Sequence, residues 1–319
     1  MKIKGKKIVC LGGGIGTVNL IKGLNKYSKD IGIVLSMADD GGSAGRLRRL
    51  YNILPPGDLI SCMSGLIKDK NPVLSKLLTY RFPGDRYGKD NDLAGQKLGS
   101  LILVAARDIS GSFEKAIELF QKIFDIPGNY LPATLEQVSI SIKTKKGEIV
   151  EREEVIDLGE FNWKNGIDKL YLTPENIKAN PKALSVIKSA DVIIAGPGDL
   201  YTTLLPVLIV PEISNLIKKS KALKIFIVNV ANKHFETNNY TLESYIEAVK
   251  KHLDVFPFDI VIGNNNQLKH LEYTNYSYVP YNNISHKGDF KIILEDVIDL
   301  DFPIYHSSEK LAKVVAENI

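Results

Sequence analysis

Four segments of this chain combine residue types that can do chemistry. The first, Gly12-Gly13-Gly14-Ile15-Gly16-Thr17, follows a short apolar run at 7–11. Glycines let backbone N–H groups come close to a phosphate, and a helix starting there adds its positive end. Thr17 takes the place of the last glycine in G-x-G-x-x-G, and the Lys-Ser/Thr ending of a P-loop is missing. A plain strand-to-helix turn accounts for the same string. The second segment is Ala38-Asp39-Asp40-Gly41-Gly42-Ser43-Ala44-Gly45-Arg46-Leu47-Arg48, placed where a dinucleotide-binding fold keeps its ribose-binding acid. Two adjacent carboxylates exceed what ribose needs. With the glycines they point to hydrated Mg²⁺ or a hydroxyl-rich ligand, and Arg46 and Arg48 offer guanidinium forks to a phosphate. A solvated Asx turn leading into an Arg-bearing helix is the alternative.

The third segment, Leu54-Pro55-Pro56-Gly57-Asp58, places Asp58 either to cap the next helix or to reach a ligand. A metal shared by Asp40 and Asp58 requires the two loops to face each other, which adjacent strands can arrange. The fourth is Ala195-Gly196-Pro197-Gly198-Asp199-Leu200-Tyr201-Thr202-Thr203, a second glycine loop with hydroxyls behind it. Two phosphate-grade loops on one sheet suit a diphosphate or two phosphorylated ligands. Asn229, Lys233 and His234 lie in a further loop that can supply the rim. The chain has no G-x-S-x-G elbow and no Cys–His pairing, so no catalytic residue is assigned. His234, His252, His270, His286 and His306 show no metal-ligand spacing; His234 and His306 are kept as base candidates.

These loops need elements to hold them. Apolar runs at 7–11, 31–37, 190–195, 223–230 and 258–263 read as buried strands. Helical spacing covers 17–26, 58–67, 72–80, 96–107, 112–124, 242–253 and 309–316. Alternating strands and helices predict an α/β fold, a doubly wound, mostly parallel Rossmann-like sheet. Residues 81–93 read as an exposed loop. From Val138 the period becomes two, and Lys145-Lys146-Gly147-Glu148 turns the chain back, so a small antiparallel β-hairpin insert is expected at about 135–172. The whole of 1–319 then forms one domain.

Composition narrows the function further. With 41 basic against 37 acidic residues the net charge is +4, too little and too dispersed for a nucleic-acid footprint. No apolar run approaches the roughly 20 residues of a membrane span. Two distant cysteines, Cys10 and Cys62, give neither metal spacing nor a staple, which fits a reducing cytoplasm.

Taken in order, Leu11 to Gly16, Ala38 to Arg48, Leu54 to Asp58 and Gly196 to Thr203, with Leu131-Pro132-Ala133-Thr134 and Asn229-Val230, resemble the CofD/YvcK-like family across about 6–310. The Asp-Asp-Gly-Gly-Ser and Leu-Pro-Pro-Gly-Asp forms are similar to its gluconeogenesis-factor branch. The resemblance implies a cytoplasmic protein that binds a nucleotide sugar of the UDP-N-acetylglucosamine type. It would support carbon metabolism, cell shape and wall synthesis, without an established reaction. The other branch implies a Mg²⁺-dependent phosphotransferase with a nucleoside-diphosphate-activated, phospholactate-type donor. The resemblance makes Asp40 and Asp58 the metal positions, if a metal is bound. It makes Gly12, Gly13, Gly14, Gly16, Asp39, Asp40, Gly41, Gly42, Ser43, Arg46, Asp58, Gly196, Gly198, Asp199, Tyr201, Thr202 and Asn229 the ligand site. A homo-oligomer is compatible with either branch. The chain departs from the family pattern at Ile15, at 95–100 and at 231–237, near the expected rim.

Overall fold

The computed structural model describes residues 3–89, 92–268, 271, 273–281 and 288–319. Strands β1 (Ile8–Gly12), β2 (Ile31–Leu35) and β3 (Asn129–Pro132) belong to the central sheet. The insert follows, with β4 (Ser139–Thr144), β5 (Ile149–Glu151) and β6 (Ile167–Thr173). The central sheet resumes with β7 (Val192–Ala195) and β8 (Leu223–Ile227) and ends with β10 (Ile260–Asn264) and β12 (Lys291–Glu295). Strands β9 (Ala231–Lys233) and β11 (Tyr276–Tyr278) form a separate antiparallel pair.

The seven central strands run parallel in the order β12-β10-β8-β7-β1-β2-β3. Every residue of β1, β2, β7 and β10 is buried, as a parallel sheet covered on both faces requires. The chain winds outward from β1 towards β3 and from β7 towards β12. The crevice between β1 and β7 is therefore the switch point where α/β sheets bind ligands.

Helix α1 (Gly14–Leu24) starts at the first glycine loop, ahead of the expected boundary. It packs on α3 (Gly57–Ile67) and on the C-terminal helix Ser308–Glu317. Between them in sequence, α2 (Gly42–Tyr51) carries Arg46 and Arg48. The expected hairpin is present as β4–β5, with a third strand, β6, pairing β4 on its other side. A short helix, Glu153–Asp157, lies between β5 and β6. The alternation revealed β4 but not these two elements. The edge strands β3 and β12 were also unforeseen, being short and only partly buried. After β7 the helical segment is interrupted: a π-helical turn, Leu200–Leu204, leads into Leu205–Leu208 and then Pro211–Lys219. Among the described residues no single helix is long and apolar enough to cross a membrane.

Candidate functional site

A cleft of ≈ 390 Å³ opens beyond the carboxyl ends of β1, β2, β7 and β8. The first turn of α1 contributes Gly14, Ile15 and Gly16, and the start of α3 contributes Asp58. The loop after β2 brings Asp39 and Gly41, and the loop after β7 brings Pro197, Gly198, Asp199, Thr202 and Thr203. These loops brace each other. Asp58 Oδ2 accepts from Gly14 N at 2.9 Å, and Asn229 Oδ1 accepts from Gly198 N at 3.0 Å. Thr17 Oγ1 accepts from Gly13 N at 2.9 Å. Glycine is needed where they touch: a Cβ on Gly13 would collide with Asp58 Oδ2, and one on Gly16 would lie 2.7 Å from Pro197 O.

Of the expected ligand residues, Gly14, Gly16, Asp39, Gly41, Asp58, Gly198, Asp199, Thr202 and Asn229 line this cleft. Gly12, Gly13 and Gly196 shape its loops from behind; Gly196 has φ +82° and its Cβ would lie 2.6 Å from Ile227 O. The pairing of Asp40 with Asp58 is not made. Asp40 turns away, accepting from Ser139 Oγ and, at 3.1 Å, from Glu154 N, so it caps the insert helix. Asp39, its neighbour, is the carboxylate that enters the cleft beside Asp58.

Arg46 is also placed differently. Its buried guanidinium donates to the carbonyls of Lys89, Asp92 and Ala94, anchoring the loop around 82–96. Arg48 donates to Asp39 O and Val138 O. Ser43 Oγ accepts from Arg81, and Gly42 N donates to Glu154 Oε1, outside the cleft. Tyr201 is buried, its hydroxyl paired with that of Tyr240.

His306 lines the wall, but burial lowers its pKa to about 4 and its ring donates to Val228 O, so it packs as a neutral imidazole. His234 stacks on Trp163, and His252 accepts from Leu170 N. His270 and His286 lie outside the described residues. Both cysteines are buried, and burial pushes the Cys10 thiol up to about 12, which makes it a packing group.

The electrostatics of the cleft depend on residues that sequence reasoning missed. The insert helix brings in Glu153, Glu154 and Asp157, and the 81–93 loop brings in Arg86 and Tyr87. The only early signal was an acidic run in the insert, which nothing in the sequence connects to the first glycine loop. Asp39, Asp58, Glu153, Glu154, Asp157 and Asp199 thus line one cavity with Arg86 and Lys233 as its cations. Burial and the charge of Asp58 push Asp39 up to about 7. Burial raises Asp58 against the pull of Lys97, and raises Glu153 well above the carboxylate range. Lys97 Nζ is bonded to Gly57 O (3.2 Å) and Ser61 Oγ (2.7 Å).

Elsewhere on the cleft wall Lys233 lies against Asp157, Asp199 and Glu236. Burial alone would lower its pKa, but the three carboxylates outweigh that and raise it. Burial and Asp199 push Glu236 up to about 7 against the pull of Lys233. Glu236 nonetheless accepts from Tyr201 N, Thr202 N, Thr202 Oγ1 and Lys233, a set of donors that suits its ionised form.

A family model, that of the 2-phospho-L-lactate transferase CofD, matches residues 8–299. A Bacillus subtilis protein named gluconeogenesis factor is 37% identical over 82% of this chain and 80% of its own length. One from Halalkalibacterium halodurans with the same name is 32% identical, covering 99% of this chain and 97% of its own. The crystal structure of a UPF0052 family member from Bacillus halodurans superposes with a TM-score of 0.86 at 29% identity, covering 98% of each chain.

Proposed function

The chain belongs to the CofD family, and on that premise we propose that it is a gluconeogenesis factor that binds a nucleotide sugar of the UDP-N-acetylglucosamine type in this cleft. It would work in the cytoplasm, in carbon metabolism, cell shape and wall synthesis, as one domain over 1–319. The observation that carries this reading is the convergence of the α1 N-terminus, the α3 N-terminus and the Gly196–Gly198 loop on one cavity at the switch point. Backbone N–H groups at two helix starts favour a diphosphate there. The lining carboxylates disfavour one, and a divalent cation would offset them.

Asp39 and Asp58 fit that role. They are half-buried carboxylates in the cleft, each with one oxygen held by a backbone N–H, from Gly41 and Gly14 respectively. Mg²⁺ held there would neutralise charge between carboxylates and phosphates. This chain's own part is to hold Asp58 against α1, to hold Asp39 at the turn, and to keep the loops packed.

The same pair supports a second reading, a Mg²⁺-dependent phosphotransferase with a nucleoside-diphosphate-activated, phospholactate-type donor. Calorimetry with UDP-N-acetylglucosamine, GDP and NAD, each with and without Mg²⁺, separates the two. The first reading predicts heat with the UDP-sugar and none with NAD. No UDP-sugar binding, together with GDP binding only in Mg²⁺, would favour the transferase instead.

A further inference from the structure

Asp157, Asp199 and Glu236 come from three separate parts of the fold: the insert helix, the loop after β7 and the short helix His234–Thr237. One oxygen from each lies within 4.8 Å of the others, a spacing that suits a divalent cation. A cation is already there. The Lys233 ammonium reaches Asp157 Oδ1, and lies 3.4 Å from both Asp199 Oδ2 and Glu236 Oε1. The lysine side chain is only 12% exposed and the Glu236 side chain 1%, while Asp157 and Asp199 are partly exposed at 32% and 37%. The lysine backbone is fixed as well: Lys233 pairs with Tyr276 across β9–β11, and its N–H donates to Thr237 Oγ1.

We propose that Lys233 is a built-in cation of the cleft, a positioning residue that fills the three-carboxylate cage in place of a metal. It ties the insert helix to the loop after β7. Glu236, one of the cage carboxylates, also receives the N–H groups of Tyr201 and Thr202 at 3.0 and 3.2 Å, so the cage is continuous with the cleft-lining turn. Two cations do not share the cage readily, because a divalent ion has to displace the ammonium from three carboxylates, one of them the fully buried Glu236. The ammonium is spent on its three carboxylates, and metal uptake is confined to the Asp39–Asp58 pair. The inference does not depend on which nucleotide binds.

The test uses Mn²⁺ alone as probe, counted by electron paramagnetic resonance on the full chain. Asp199→Asn is expected to bind as many Mn²⁺ ions as the unmodified chain, because the lysine already occupies the cage. Lys233→Met is expected to take up about one more ion per chain than the unmodified chain, and Lys233→Arg no additional ion. A loss of Mn²⁺ in Asp199→Asn would overturn the proposal, showing that the carboxylates hold metal with the lysine present. So would a folded Lys233→Met chain with no added ion. If Lys233→Met does not fold, the comparison of Asp199→Asn with the unmodified chain still decides.

Discussion

At one end of the cleft Asp39 sits half-buried within reach of the charge of Asp58, while the nearby Lys97 ammonium is bonded to Gly57 O and Ser61 Oγ. At the other end Asp157, Asp199 and Glu236 close around Lys233. Both groups consist of carboxylates that are at least half-buried, yet the second has its own cation bonded to them. Burying a carboxylate costs free energy unless something positive accompanies it. At the Lys233 end the chain supplies part of that charge itself, although Glu236 is still raised to about 7. At the Asp39 end the cost remains, and protonation or an added cation relieves it. A ligand with phosphates therefore meets a finished surface at one end and an unfinished one at the other.

The contrast breaks most severely if the finished end is dismantled. Glu236→Ala removes one partner of Lys233 and leaves the Tyr201 and Thr202 N–H groups unpaired in a buried place. Truncating one partner of a buried pair costs about 3–5 kcal/mol, and denaturant unfolding should show a loss of that size. The unfinished end is more tolerant. Gly13→Ala puts a Cβ into Asp58 Oδ2, a local overpacking worth about 1–3 kcal/mol. Nucleotide-sugar affinity should fall with it, because Asp58 must move.

A pH series sharpens the difference. The Asp39 pKa is raised to about 7 from its ordinary 3.8. Between those values the folded chain holds a proton that the unfolded chain has released, so stability falls as pH rises through that window. Asp39→Asn should flatten this slope of melting temperature against pH without abolishing it, since Asp58, Glu153 and Glu236 are raised too. An unchanged slope would remove Asp39 from the account. The smallest effect is expected at Asp40, which holds the insert helix and Ser139 of β4 and lies outside the cleft. Asp40→Asn should cost about 1 kcal/mol of stability, as the loss of a helix cap does, and leave ligand affinity within about twofold.

Five of the seven central strands and the four loops were legible in the sequence because buried parallel strands are unbroken apolar runs that give way to glycine or polar residues. Membership of the site was less legible. Asp39 and Asp40 are chemically the same and adjacent, and which one enters the cleft depends on Ser139 and Glu154, far away in the chain. Arg46 has the right type for a phosphate, but its direction is set by three carbonyls of the 82–96 loop. The insert carboxylates could not be anticipated either, because β6 and the helix Glu153–Asp157 acquire their place by packing on the core. Residue type identified the chemistry, whereas tertiary placement selected which copy performs it.

Calorimetric titration of UDP-N-acetylglucosamine in Mg²⁺, on the unmodified chain and on Asp58→Asn, tests the unequal cleft most directly. The expected result is binding that Mg²⁺ strengthens at least about tenfold, a change of about 1.4 kcal/mol, and that Asp58→Asn reduces to its Mg²⁺-free level. Equal affinity with and without Mg²⁺, unaltered by Asp58→Asn, would contradict the account.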